Sequence, residues 1–344
     1  SRLAKSFAAM LDTVRPRLVH LHALSPGIGS ACINVIVERN LPFLLTYHTP
    51  TLSCARGTMM AFGQSVCDGR YRSIRCTACV GQKLTKSLWK GALLGLVPAG
   101  LSRHASASIS GPVGTALGIK AATERWHLQF ESILGHANRV VAVCDWVRAT
   151  LLAQGAPAER VVLSRQGLPH VGAVESVALT DGSAGLRLCF LGRLDPTKGI
   201  ELLLEAFSLA ASAPLTLDLY GVPSSPAYKE FLLRRVRADP RIRLLAPIAS
   251  SEVIRTIQSY DAIVVPSQWL ETGPLVVLEA HAAGRPVIGS RLGGIAELVR
   301  DGIDGWLLPP TDPAAWGSLF VALSQDRREL LEKATRILSP RTMA

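Results

Sequence analysis

Ten short, mostly apolar runs of three to six residues recur along the chain, and helix-like periodicity fills most of the gaps between them. They lie at 18–22, 42–47, 139–143, 161–164, 186–191, 215–220, 242–245, 262–266, 286–289 and 306–308. Strands that alternate with helices and are apolar throughout are covered on both faces, the signature of a parallel sheet wrapped by helices. Ile200, Leu203, Leu204 and Phe207 follow the i, i+3, i+4, i+7 spacing of a core-facing helix. The pattern therefore predicts an α/β chain with doubly wound sheets. The longest charge-free stretch, 18–37, contains His20, His22, Ser25, Pro26, Gly27, Gly29, Ser30 and Asn34, and reads as strand, turn and helix rather than a membrane span.

At 344 residues the chain suits two domains. A Gly-, Ser- and Ala-rich stretch without a clear period precedes the run at 186, so a linker is expected at 169–185, between a first domain at 1–168 and a second at 186–344. The first domain carries an excursion over 50–122, too long for a plain loop, with four cysteines in it. It also has few strands, and the chain opens without Met, so the domain is expected to be truncated at its start.

Charge is unevenly placed. Residues 1–110 hold 13 Lys and Arg against the three acids Asp12, Glu38 and Asp68, so +10 of the net +11 lies in the first third. Such a face suits anionic lipid, an acidic acceptor or nucleic acid. Nucleic acid is the weaker match, because aromatic residues are only 6% and are not interleaved with the basic ones.

Two constellations could carry chemistry. The run at 186–191 leads into Gly192-Arg193-Leu194-Asp195-Pro196-Thr197-Lys198-Gly199 and then a helix. A glycine turn between strand and helix exposes N–H groups, and Arg193 and Lys198 add fixed positive charge, a combination that can hold a diphosphate without a metal. The second is Glu271-Thr272-Gly273-Pro274-Leu275, with Glu279 further along the following helix. The two carboxylates would flank a ligand at the carboxyl edge of the sheet and accept hydrogen bonds from a polyhydroxyl group.

In this order, together with Ala283-Gly284-Arg285-Pro286-Val287-Ile288-Gly289-Ser290 and Gly293-Gly294-Ile295-Ala296-Glu297-Leu298, these motifs resemble glycosyltransferase family 4, over about 186–310. Val19-His20-Leu21-His22, Thr46-Tyr47-His48, Cys54-Ala55-Arg56-Gly57 and Cys76-Thr77-Ala78-Cys79 resemble its exopolysaccharide-type members. The resemblance implies a GT-B fold, two Rossmann-like domains facing a cleft. It also implies a retaining transfer from a UDP- or GDP-linked sugar to a glycan or lipid-linked saccharide in polysaccharide biosynthesis. Gly192, Arg193 and Lys198 would hold the diphosphate, Glu271 would touch the donor sugar, Gly273, Pro274 and Leu275 would line it, and Glu279 would bind ribose. His48 would face the sugar from the first domain, making His48 and Glu271 the catalytic candidates. Thr49 stands where relatives often carry Asp, and the glycine-rich loop expected after the family's first strand is not found. No Asp-x-Asp motif is present, so no catalytic metal is expected.

Three further readings concern the first domain. His20 and His22 alternate on a strand and are expected on opposite faces, one of them buried. Cys54, Cys67, Cys76 and Cys79 could form a structural zinc site that orders the excursion, whereas Cys32, Cys144 and Cys189 read as core. The segment 83–101 combines Leu84, Leu88, Trp89, Leu93, Leu94, Leu96 and Leu101 with Lys83, Lys86 and Lys90, which suits a helix lying on an anionic membrane. The expected location is the cytoplasm, with peripheral association at the inner face of the cell membrane. The competing functions are an inactive, truncated family member that keeps nucleotide binding, and a basic zinc-loop protein that binds nucleic acid.

Overall fold

A computed structural model describes residues 2–22, 29–169 and 185–343. Within the expected linker, 170–184 lies outside the described residues, as does the turn at 23–28. The chain forms two compact units, Ser1–Arg165 and Gln166–Ala344.

In the first unit the order is α1 (Arg2–Val14), β1 (Val19–Leu21), α2 (Ser30–Glu38), β2 (Phe43–Tyr47), β3 (Met60–Ala61) and β4 (Ser65–Val66). Then come α3 (Ser73–Thr85), α4 (Leu88–Leu96), α5 (Ala99–Ser108), α6 (Gly111–His136), β5 (Arg139–Ala142), α7 (Asp145–Ala153) and β6 (Val161–Leu163). Strands β1, β2, β5 and β6 form a parallel sheet in that spatial order, with Val19 opposite Phe43, Leu45 opposite Val140 and Val140 opposite Val161. Ile36, Leu45, Phe130, Ile133, Val140 and Leu151 are buried together on it. The excursion folds as an antiparallel hairpin, β3 with β4, followed by three helices and the start of α6, whose far end delivers Phe130 and Ile133 to the core.

The second unit runs β7 (Leu186–Leu191), α8 (Ile200–Leu209), β8 (Leu215–Tyr220), α9 (Pro226–Ala238), β9 (Ile242–Leu245), α10 (Val253–Ile257) and β10 (Ala262–Val265). It continues α11 (Leu275–Ala282), β11 (Val287–Ser290), α12 (Gly293–Leu298), β12 (Gly305–Leu308), α13 (Pro313–Gln325) and α14 (Arg328–Thr335). Its six strands are parallel in the order β12-β11-β10-β7-β8-β9. Side chains of a strand alternate in direction. Accordingly Leu188 and Val264 pack with Phe207, Trp316 and Phe320, while Cys189 and Ile263 pack with Val277 and Ile295. Both faces are thus covered, as the mostly apolar runs predict. The winding direction reverses between β7 and β10, which opens a crevice at their carboxyl ends.

Two expectations need correction. Strand β1 ends at Leu21, so His22 lies beyond it. His20 and His22 are both exposed, with ring centroids 4.0 Å apart rather than on opposite faces. The segment 83–101 is not one helix. Lys86 turns left-handed at φ 57° between α3 and α4, and Val97-Pro98 separates α4 from α5.

Candidate functional site

The second unit holds a cleft of about 490 Å³ at the carboxyl ends of β7 and β8. Leu191, Gly192 and Arg193 line it from the end of β7, Tyr220, Gly221 and Val222 from the end of β8, and Pro247, Ile248 and Val253 from beyond β9. Lys198 enters from the short 3-10 turn Pro196–Lys198, and Pro274, Leu275, Val276 and Glu279 from the start of α11.

Steric demands in the backbone shape this cleft. Gly221 has φ 155°, and a Cβ there would sit 1.8 Å from the carbonyl oxygen of Gly192. Gly199 has φ 73°, with its Cβ position 1.9 Å from the carbonyl oxygen of Pro266. Only glycine fits either position. The close approach at Gly199 seats the turn against Pro266, directly after β10.

Lys198 is fixed by charge. Its Nζ donates to Glu271 Oε1 at 2.6 Å, and Ser267 Oγ and Trp269 Nε1 donate to the same oxygen at 2.7 and 2.8 Å. The Glu271 residue is only 6% exposed. Lys198 Nζ also lies 5.5 Å from the Trp269 ring centroid, within cation–π reach. Behind this cluster, Gly294 donates its N–H to the Glu271 carbonyl at 2.7 Å. A Cβ on Gly293 or Gly294 would approach Glu271 backbone atoms within 2.9 Å, so the glycine pair lets the 271–273 loop lie flat.

Arg193 is exposed at the rim. Burial pushes the Asp195 carboxyl up, but hydrogen bonds from Thr197 and the nearby Arg193 charge outweigh it, and the net shift is downward. Glu279 is shifted the other way, because burial raises its pKa.

The cleft therefore brings together Gly192, Arg193, Lys198, Pro274, Leu275 and Glu279 among the expected residues. Glu271 and Gly273 are not in its lining: Glu271 sits behind Lys198 and orients it, and the Gly273 Cβ position lies 2.7 Å from Gln166 Oε1. Sequence reading missed Tyr220, Gly221, Val222, Pro247, Ile248 and Val253. Gly221 follows a strand directly, as Gly192 does, and that is the signal that could have found it. Nothing local marks Pro247 or Ile248, whose place depends on the pairing of β8 with β9.

His48 belongs to the first unit, directly after β2. Its Nε2 is 3.1 Å from His22 Nδ1 and the rings stack at 5.3 Å, while His20 Nε2 is 2.8 Å from Thr46 Oγ1. Burial, then the His22 and His20 charges, lowers the His48 pKa. Cys54, Cys67, Cys76 and Cys79 line one cavity of about 50 Å³ and are free thiols. The N–H of Phe62 donates to Cys79 Sγ at 3.1 Å and that of Arg72 to Cys76 Sγ at 3.3 Å. Among the described residues, no three His, Cys, Asp or Glu side chains are grouped so as to hold a metal ion as they stand. Cys32, Cys144 and Cys189 are buried.

Residues 185–326 match the family model of the group 1 glycosyl transferases. A D-inositol 3-phosphate glycosyltransferase of Geodermatophilus obscurus is 31% identical over 224 residues, 60% of this chain and 49% of its own length. One from Corynebacterium efficiens is 35% identical over 147 residues, 40% of this chain and 34% of its own. The chain thus spans half or less of the length of these curated relatives. Among solved structures, Anabaena HepE in complex with UDP aligns at TM-score 0.63 and 15% identity, covering 96% of this chain and 75% of that one. The sucrose-phosphate synthase of Thermosynechococcus elongatus aligns at 0.61 and 19% identity, covering 97% and 72%. The fold is GT-B, built from two Rossmann-like units. The segment that matches the group 1 glycosyl transferases is the one that builds the cleft, so the likeness to that family falls on the candidate site.

Proposed function

We propose that the chain transfers a sugar from a nucleoside-diphosphate sugar, with the cleft of the second unit as its donor site. The observation that carries the reading is the convergence of two cations, Arg193 and Lys198, and one carboxylate, Glu279, on a single cleft at the switch point of a parallel sheet. The diphosphate lies against Arg193 and Lys198, the ribose hydroxyls donate to Glu279, and Pro247, Ile248 and Val253 form the apolar wall for the base. That HepE was solved with UDP supports the same class of donor. As the sugar–phosphate bond breaks, negative charge builds on the leaving phosphate. Charge-assisted hydrogen bonds contribute about 1.5–3 kcal/mol each, so Lys198→Ala is expected to slow turnover about tenfold to a hundredfold. Glu271 serves this step by holding Lys198 in place, and His48 is the candidate group from the first unit.

The finer reading is a retaining, metal-independent transfer to a glycan or lipid-linked saccharide in polysaccharide biosynthesis, at the cytoplasmic face of the membrane. The relatives named for D-inositol 3-phosphate make a phosphorylated polyol the acceptor to test beside it. Incubation with a panel of UDP- and GDP-sugars and both acceptor classes, with product anomers read by NMR, tests the reading. Retention of the anomeric configuration and full turnover in EDTA are expected. Inversion, or dependence on a divalent ion, contradicts the finer reading, and failure of every donor to bind contradicts the whole.

The cysteines carry a structural reading of their own, a zinc ion between the hairpin and α3. Cys54 and Cys67 flank the hairpin, Cys76 and Cys79 lie on the first two turns of α3, and all four line one cavity. Zinc–sulfur bonds are about 2.3 Å long, so loading requires the sulfurs to turn toward a common centre. Elemental analysis of protein purified without chelator should give about one zinc per chain, lost in Cys76→Ser. Metal-free wild-type protein would remove the reading.

A further inference from the structure

Helices α3 and α4 pack through glycine. A Cβ on Gly91 would lie 2.6 Å from both the carbonyl oxygen of Ala78 and the amide nitrogen of Gln82, and one on Gly95 would lie 2.8 Å from the carbonyl oxygen of Ile74. These two glycines are the buried residues of α4. The backbones therefore approach closely, and the large side chains of α4 are left on its other side. Helical spacing groups positions 88, 89, 92, 93 and 96 there. Leu88, Trp89, Leu93 and Leu96 are 55%, 63%, 57% and 65% exposed, and Leu84 and Leu101 on the neighbouring helices are exposed too. An apolar helix of a water-soluble unit normally turns its leucines inward, whereas α4 turns its glycines inward.

Charge borders this face. Lys83, Lys86 and Lys90 are exposed, and Lys90 Nζ lies 5.4 Å from the Trp89 ring centroid. Residues 69–123 contain no Asp or Glu at all. Lys120 donates to the carbonyls of Gly95 and Val97 at 3.3 and 3.0 Å and so closes the end of α4. Among the described residues no helix is long and apolar enough to cross a membrane.

We propose that the outward face of α4 docks on an anionic lipid bilayer, with Leu88, Trp89, Leu93 and Leu96 entering the boundary between headgroups and acyl chains and Lys83, Lys86 and Lys90 meeting lipid phosphates. Leucine and tryptophan rimmed by lysine match that interface in both polarity and charge. The face is built from residues of the first unit and the proposed donor cleft from residues of the second, so lipid and nucleotide binding are read separately.

Flotation of the full chain with vesicles tests it. Vesicles of phosphatidylcholine with about 30% phosphatidylglycerol should bind at least about tenfold more protein than phosphatidylcholine alone. The difference should shrink as salt rises from about 0.1 to about 0.5 M. Trp89→Ser with Leu93→Ser should lower binding at least about fivefold, with unchanged melting temperature and UDP binding, because both side chains are exposed. Should that variant lose stability, Lys86→Gln with Lys90→Gln serves instead and should flatten the salt dependence. Equal binding to both vesicle types, binding to neither, or binding untouched by the variants overturns the proposal. A wild-type dimer abolished by Trp89→Ser and Leu93→Ser would assign the face to a second copy, and RNA binding without vesicle binding would assign the charge to nucleic acid. Either result overturns it while leaving the donor site standing.

Discussion

Lys198 and Glu271 are 73 residues apart in sequence and 2.6 Å apart in space. Nothing local in the sequence joins them, since their meeting depends on β10 pairing beside β7. The glycines, by contrast, were legible. Gly192 and Gly199 stand where an apolar run gives way to a helix, and the structure adds the carbonyl oxygen that forbids a side chain at Gly199. Gly199→Ala is expected to cost at least about 2 kcal/mol, read as a lower denaturant midpoint, and an unchanged midpoint would count against the close approach to Pro266. Glu279 gives a pH prediction. Burial raises its folded pKa above that of the unfolded chain, so the folded state holds the proton more tightly and stability falls as pH rises through that window. Glu279→Gln should remove this fall, so melting curves of the two proteins at acid and neutral pH should diverge as pH rises. The same variant should weaken nucleotide binding, because an amide accepts ribose hydroxyl hydrogen bonds less strongly than a carboxylate.

Among elements, the parallel strands were legible because each is a short, mostly apolar run, and the Ile200, Leu203, Leu204 and Phe207 stripe is buried as its spacing requires. The hairpin β3–β4 was not, since strands of two residues are too short to show a period. Helix α4 was legible as apolar, yet its direction was not: the inward face is set by Gly91 and Gly95 meeting the backbone of α3. A Gly91→Leu variant should separate the two helices and lower the melting temperature by several degrees. In the second unit, Asp261 is fully buried between Arg187, 3.0 Å from its Oδ1, and Arg327, 2.8 Å from the same oxygen, and it also accepts the N–H of Arg187 at 2.7 Å. This ties β7 to the turn that precedes α14. Asp261→Ala leaves a buried guanidinium without its carboxylate and should cost about 3–5 kcal/mol in a denaturant melt. A loss below about 1 kcal/mol would show that solvent reaches the pair.

At the scale of the whole molecule, the two units divide the chemistry. The first carries most of the net charge, the cysteine cavity and the outward face of α4, and the second carries the cleft proposed to hold the donor and the family segment. The central claim is that Arg193 and Lys198 hold a nucleoside diphosphate. Calorimetric titration of UDP and GDP into wild-type protein and into Arg193→Ala with Lys198→Ala tests it most directly. The account predicts saturable binding of one of the two nucleotides, weakened at least about a hundredfold by the double substitution and by much less in Arg193→Ala alone. Nucleotide binding that survives loss of both cations, or no binding by the wild-type protein, would contradict it.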